Sequence, residues 1–311
     1  MNGGLEIPAF EWVRVVTEPW ALYPQTTIWI VLMGWLVSLV CGGVGLFLIL
    51  RRMAMTGDAI SHSVLPGLVL AFLWTSSRAT LPMMLGALVA GVLSVVVIEW
   101  IHRSSRVKPD AAMGIVFSLF FAVGVILVTT YADYIDLDAD CVLYGEIAFV
   151  PLEPAWVLAG FELGPAPVMR LALVGLIVAG LGFVFFKELI TTSFDPVLAA
   201  SLGLSPRAFH YGLMVVLSVV IVSSFEAVGA ILVVAMLIFP GATALLLTHR
   251  LKLALLLLPF IAAFHSVVGF HLAVWFDVAV AGSMAVAAGG LLAVAWAVYV
   301  IRARPRRLAG S

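Results

Sequence analysis

The sequence predicts an all-α, polytopic membrane protein of eight or nine transmembrane helices, with one short capped helix on its cytoplasmic face. Three observations carry that prediction. Of 311 residues, 64% are hydrophobic and only 11% are charged, whereas a water-soluble domain carries about a quarter charged residues. Apolar runs of spanning length, about 20 residues, recur from residue 27 to residue 301 with no gap long enough for a soluble domain, and mean hydropathy is +1.20. Lys and Arg gather in alternate connections between those runs.

Taken in order, the apolar runs place spans near 27–50, 57–75, 82–101, 112–131, 168–186, 208–224, 227–247, 253–275 and 279–301. The later runs are joined by short, weakly polar links, so the count stands between eight and nine. Residues 1–26 read as an extracytoplasmic or interfacial segment, 27–301 as the transmembrane domain and 302–311 as a basic cytoplasmic tail. No charged n-region, short apolar core and small-residue cleavage site opens the chain, so no cleaved signal peptide is expected. The segment 132–167 is too polar at its start to span. Its middle, "CVLYGEIAFVPLEPAWVLAGF" (141–161), reads as re-entrant or interfacial, because irregular backbone at membrane depth is tolerated only when protein buries it.

Orientation follows from the basic residues. Arg51-Arg52, "HRSSRVK" (102–108), Lys187, Arg207, "HRLK" (249–252) and "RARPRR" (302–307) hold 13 of the 16. With nine spans, all of these lie on one side. Only Arg14, Arg78 and Arg170 remain for the other, beside the acidic stretch "DYIDLDAD" (133–140). The N-terminus is therefore expected outside and the C-terminus in the cytoplasm. Cys41 lies in an apolar run and Cys141 in an acidic loop, a spacing that suggests neither a disulfide framework nor a metal site.

One cytoplasmic connection is longer than the rest: "KELITTSFDPVLAASLGLSPRAF" (187–209). Asp195 precedes Pro196 and a run of helix formers, which suits an N-cap with Pro at the first helical position. Gly203 suits a helix stop, and Pro206 bars continuation. A capped helix of about two turns in such a place reads as a docking element, whereas a plain linker needs no caps.

"GDAISHSVLPG" (57–67) sets an acid, a hydroxyl and an imidazole together in an apolar stretch. Asp58 and His62, four residues apart, share one helix face, with Ser61 beside them. Ionisable groups within a span are costly and usually face a partner or a water-filled path. A carboxylate plus an imidazole suits Mn²⁺, Zn²⁺ or Fe²⁺; a structural ion pair is the other reading. Pro66 cannot donate to the His62 carbonyl, and Gly67 permits either a bend or close approach of another backbone. Two side chains are too few to hold a divalent cation in a closed site, and a two-fold homodimer would supply two of each. Glu226, in "SSFEAVG", and His265, in "IAAFHSVVGFHLAVWFD", are weaker pathway candidates. His271 and Asp277 near the outer end of that span read as surface residues, and Glu99 and His102 as ordinary span flanks.

Absent motifs narrow the function. No lysine sits in the G-x-x-x-x-G-K-[ST] setting of a P-loop, no H-E-x-x-H occurs and no G-x-S-x-G elbow occurs. The chain is not expected to be an enzyme.

Three stretches carry a family resemblance. "LRRMAMTGDAISHSVLPGLVLAF" (50–72) resembles the signature of ABC-transporter permeases that import manganese, zinc or iron. "SFDPVLAASLGLSP" (193–206) looks like that family's cytoplasmic loop that contacts the ATPase, and "VGAILVVAMLIFPGATALLLT" (228–248) is a third match. The likeness covers roughly residues 28–300. It implies a homodimeric permease in a bacterial inner membrane, two cytoplasmic P-loop ATPase subunits and an extracytoplasmic metal-binding protein, with no nucleic acid among its partners. It implies that Asp58 and His62 handle the metal, that Pro66 and Gly67 form a helix break used in gating, and that Asp195, Ala199 and Gly203 serve ATPase coupling. No resident cofactor is expected, the metal being cargo. The alternative is a self-contained, proton-driven secondary metal transporter, against which the capped cytoplasmic helix argues.

Overall fold

The computed structural model describes residues 8–76, 80–131, 147–158 and 160–308. Among these, 8 helices are long and apolar enough to cross a membrane, and one more, Leu232–Leu247, is apolar but shorter. A π-helical turn (Val13–Thr17) and α1 (Glu18–Leu22) lead into α2 (Pro24–Leu50). Four further helices follow: α3 (Thr56–Ser63), α4 (Leu65–Thr75), α5 (Thr80–Ser104) and α6 (Pro109–Thr130). After a 3₁₀ turn (Ile147–Leu152) and an antiparallel hairpin, β1 (Ala155–Leu158) and β2 (Phe161–Pro165), come α7 (Ala166–Val184), α8 (Phe186–Phe194) and α9 (Pro196–Ser201). The chain closes with α10 (Pro206–Leu247), α11 (Leu251–Phe276) and α12 (Val280–Leu308).

α2 is the axis of the bundle. Met33, Val37, Cys41, Leu46 and Leu48 are fully buried on it, and it packs against α10, α11 and α7. A helix apolar on every side belongs inside a bundle or in lipid, and α2 takes the first place. α7 takes the second: Leu173, Leu176, Ile177, Leu181 and Phe183 lie exposed along it. Association of such helices is driven by packing, since lipid tails are as apolar as leucine.

The two spans expected at 208–224 and 227–247 form one broken helix, α10, interrupted at Gly229 (φ 74°, ψ 168°). The ambiguity between eight and nine spans resides at this kink. The span expected at 57–75 forms as α3 and α4, joined at Val64, which keeps right-handed helical dihedrals (φ −76°, ψ −21°), so the two run on as one span, Thr56–Thr75. Pro66 falls in the first turn of α4, where its missing N–H has no intrahelical partner to lose. Gly67 resolves to close approach: a Cβ there would lie 2.2 Å from the Gly86 carbonyl oxygen, and one at Gly86 would lie 2.3 Å from the Gly67 carbonyl oxygen. Small residues at a crossing let two backbones meet in this way, and here they seat α4 on α5.

The described part of the 141–161 stretch neither spans nor stays helical. Ile147 and Val150 of the 3₁₀ turn are buried in the main core against α2, while Phe149, Leu152, Trp156 and Val157 are exposed. Pro151 and Pro154 stand where a longer helix would need their N–H groups. Cys141 and the acidic stretch 133–140 lie outside the described residues. The basic stretch at the C-terminus is not a separate segment over its described part: α12 runs on as helix to Leu308.

Candidate functional site

α3 begins at Thr56, directly after the corner that ends α2. That corner is a hydrogen-bonded reversal: Arg52 N–H donates to the Ile49 carbonyl (3.0 Å) and Met53 N–H to the Leu48 carbonyl (2.9 Å), with Arg52 in the left-handed region (φ 58°). Asp58 then falls in the first turn of α3 and His62 in its last. The carboxylate thus stands at the helix end whose dipole favours a negative charge.

His62 Nε2 lies 3.5 Å from Asp58 Oδ1, and the side chains are 31% and 39% exposed, respectively. The His62 ring packs against Phe117 (centroids 5.6 Å apart) and Phe121 (5.8 Å) of α6. A 3.5 Å contact is at the outer limit of a hydrogen bond, so neither group is saturated by the other. Ser61, their sequence neighbour, does not join them. It is buried and donates to the Gly57 carbonyl (2.9 Å). Among the described residues, no group of three or more His, Cys, Asp or Glu side chains converges anywhere. The pair therefore presents two ligand atoms on a half-open face with no third His, Cys, Asp or Glu beside them among the described residues.

His265 stands apart from this pair. It is fully buried on α11, with Nδ1 3.3 Å from Ser38 Oγ of α2 and Nε2 unpartnered. The Glu226 side chain lies outside the described residues. The residues read as span flanks make specific contacts. Glu99 pairs with Arg103 and, at 3.7 Å, with His210 Nε2 at the start of α10. His102 Nδ1 meets the Val107 carbonyl at 3.0 Å. His271, expected at the surface, clasps the N-terminal segment. Its Nδ1 must donate to the Val15 carbonyl (2.9 Å), so its Nε2 accepts from Trp20 Nε1 (3.3 Å).

The capped helix expected on the cytoplasmic face forms as α9. Asp195 Oδ1 accepts from Leu198 N–H (2.9 Å), and Pro196 takes the first position. At the other end, Gly203 N–H donates to the Ala200 carbonyl (3.1 Å) and Leu204 N–H to the Ala199 carbonyl (3.0 Å), the paired bonds of a Schellman stop. Gly203 supplies the required φ of +81°. The helix is six residues long, about the two turns expected, and closes at Ser201. Ala199 is fully buried on the inner side, whereas Phe194, Val197, Leu198 and Leu202 point outward and are 48–79% exposed.

Sequence reasoning missed Arg51. It appears there as one more basic flank, yet its Nε donates to Ser193 Oγ and its Nη2 to Thr192 Oγ1, both at 2.9 Å. Burial holds its guanidinium below the ordinary arginine value, and it remains cationic. No local pattern signals a contact between residues 141 positions apart.

A bundle of spanning helices, a ligand-capable pair on one of them and a capped helix outside the bundle together fit a membrane transport subunit. The profile of the ABC 3 transport family matches residues 24–299, and the chain belongs to that family. It is 45% identical over 241 residues to the manganese transport system membrane protein MntD of Bacillus subtilis, covering 78% of this chain and 81% of that one. It is 43% identical over 214 residues to the zinc transport system membrane protein TroD of Treponema pallidum, covering 69% of this chain and 58% of that one. Among solved structures, PsaBC from Streptococcus pneumoniae in complex with Fab superposes with a TM-score of 0.75 at 33% identity, over 92% of this chain and 95% of that chain. The chain is thus a multi-pass bacterial membrane protein, the permease subunit of an ABC transporter, and ATP hydrolysis falls to a separate subunit.

Proposed function

We propose that this permease imports a divalent transition metal, Mn²⁺ or Zn²⁺, into the cytoplasm, with Asp58 and His62 as its ligands on the path. The observation that carries the reading is the half-open Asp58–His62 pair, which no third His, Cys, Asp or Glu joins among the described residues. The named substrates of the manganese and zinc relatives support it. So does the chemistry: a carboxylate oxygen and an imidazole nitrogen are an intermediate ligand set that suits both ions. Two copies related by a two-fold axis would bring four such ligands together. Pro66 and Gly67, in the first turn of α4 just beyond His62, are the positions on this reading where the path is gated.

On this reading the α8–α9 face meets a P-loop ATPase subunit, one on each copy. The outward apolar residues Phe194, Val197, Leu198 and Leu202 are suited to such a protein contact. Arg51 and Arg103 both lie close enough to His210, at the start of α10, to act on it electrostatically, so the three share one end of the bundle. The basic residues of the alternate connections assign that end to the cytoplasm. The opposite end, where Pro8 and Val15 are tied to α11, faces outward and receives the metal from an extracytoplasmic binding protein.

Uptake of radiolabelled Mn²⁺ and Zn²⁺ per assembled complex tests the site. Asp58→Ala and His62→Ala should each lower uptake to about a tenth of wild type or less, because removing even an outer-shell partner of a metal ligand costs about 10–100-fold. Full uptake per complex in both variants would return the pair to a packing role.

A further inference from the structure

We propose that Arg51 is a positioning residue that ties the α8–α9 docking element to the α2–α3 corner, so that movement of the one shifts Asp58 on the other. The inference rests on the transport reading above. Its geometry is specific on both sides of the contact. Thr192 Oγ1 donates its only proton to the Glu188 carbonyl (2.8 Å) and Ser193 Oγ donates to the Leu189 carbonyl (2.5 Å). Each hydroxyl therefore meets Arg51 as an acceptor, and the planar guanidinium fork spans both at once. Two residues beyond Ser193 stands Asp195, the N-cap of α9.

On the opposite side, Arg51 is the C-cap of α2 and opens the hydrogen-bonded corner that delivers the chain into α3. Asp58 lies in the first turn of that helix. The path from the apolar docking face to the ligand pair thus runs through one side chain, one tight corner and one helical turn.

The partner choice argues for a latch over a fixed staple. A cation at a helix C-terminus is already favoured by the helix dipole and needs no second element. Among the described residues Arg51 has no carboxylate partner and spends its donors on neutral hydroxyls. Charge-to-neutral bonds hold the two segments in register while remaining easier to exchange than a bidentate Arg–carboxylate pair.

The test uses the whole transporter, permease with its ATPase subunits and binding protein, in proteoliposomes. It reads labelled Mn²⁺ taken up per ATP hydrolysed. Arg51→Gln removes the fork, and Thr192→Val with Ser193→Ala removes its acceptors without touching the basic flank. Both should lower the transport-to-hydrolysis ratio at least five-fold, while equilibrium Mn²⁺ binding to the assembled complex stays within two-fold of wild type. Arg51→Lys, which keeps the charge but reaches one hydroxyl at a time, should also fail to restore the ratio; it replaces Arg51→Gln if that variant does not assemble. Arg52→Gln, an exposed neighbour of the same charge, should couple normally. A wild-type ratio in the acceptor variant or in the assembled Arg51 variant overturns the latch and leaves metal transport standing. A wild-type transporter that takes up neither Mn²⁺ nor Zn²⁺ overturns the transport reading, and the latch with it.

Discussion

The Asp58–His62 corner and the α9 helix are built on opposite plans. On α9, Asp195 caps the start, the Schellman pair closes the stop, and what the helix and its flanks leave unused is apolar side chain: Val197 and Leu198 on it, Phe194 before it and Leu202 after it. On α3, the apolar side chains Ala59 and Ile60 are buried, and what remains unused is polar: a carboxylate and an imidazole 3.5 Å apart on a half-open face. Unused apolar surface on a rigid, capped element suits a protein partner. Unused ligand atoms within a span suit a small cation. The two regions are matched to different kinds of guest, and Arg51 lies between them.

The comparison is broken most forcefully from beneath α3. Gly67→Leu places a side chain where even a Cβ would lie 2.2 Å from the Gly86 carbonyl, and backbone cannot yield as a flexible side chain does. We expect a loss of several kcal/mol, at or above the upper end of the ~1–3 kcal/mol range for overpacking. It would be read as a lowered unfolding temperature in detergent and a falling yield of assembled complex. Unchanged thermal stability would show that α4 and α5 do not need to meet at this crossing, and that α3 is held some other way.

On the α9 side the expected effects are smaller and local. Gly203→Ala must hold a β-carbon at φ +81°, at a cost of about 1–2 kcal/mol, and Asp195→Ala loses an N-cap worth about 1 kcal/mol. Amide exchange at Ala199–Leu204 should accelerate about five-fold or more in either variant, since about 1 kcal/mol corresponds to that factor in an opening equilibrium. Exchange in α3 should be unaffected in the isolated permease. Asp195→Asn, which keeps an accepting oxygen, should restore the cap. Equal acceleration in the Asn variant would mean that the cap hydrogen bond does not hold the helix.

The smallest effect sharpens the contrast inside α3 itself. Ser61 sits between the two candidate ligands in sequence but turns its hydroxyl to the Gly57 carbonyl. Such i−4 back-bonding contributes little to a helix. Ser61→Ala should therefore leave metal uptake within two-fold of wild type and stability within about 0.5 kcal/mol. A ten-fold fall in uptake would place the hydroxyl on the path and enlarge the ligand set beyond Asp58 and His62.

Much of this was written in local pattern. The apolar runs located the spanning helices to within a few residues, since length against bilayer thickness is a one-dimensional property. Caps are equally local: Asp195, Pro196 and Gly203 announced α9 because each acts on backbone within one turn of itself. The i, i+4 spacing put Asp58 and His62 on one face for the same reason. Only the tertiary structure decided which face was open, that Ser61 turns away, that Gly67 serves a crossing with Gly86, and that the 3₁₀ turn Ile147–Leu152 packs on α2 while β1 and β2 meet α7. Arg51 belongs wholly to that second group. Its two acceptors lie 141 and 142 residues away, and a basic residue at a span end looks the same in sequence whether it meets water or grips another helix.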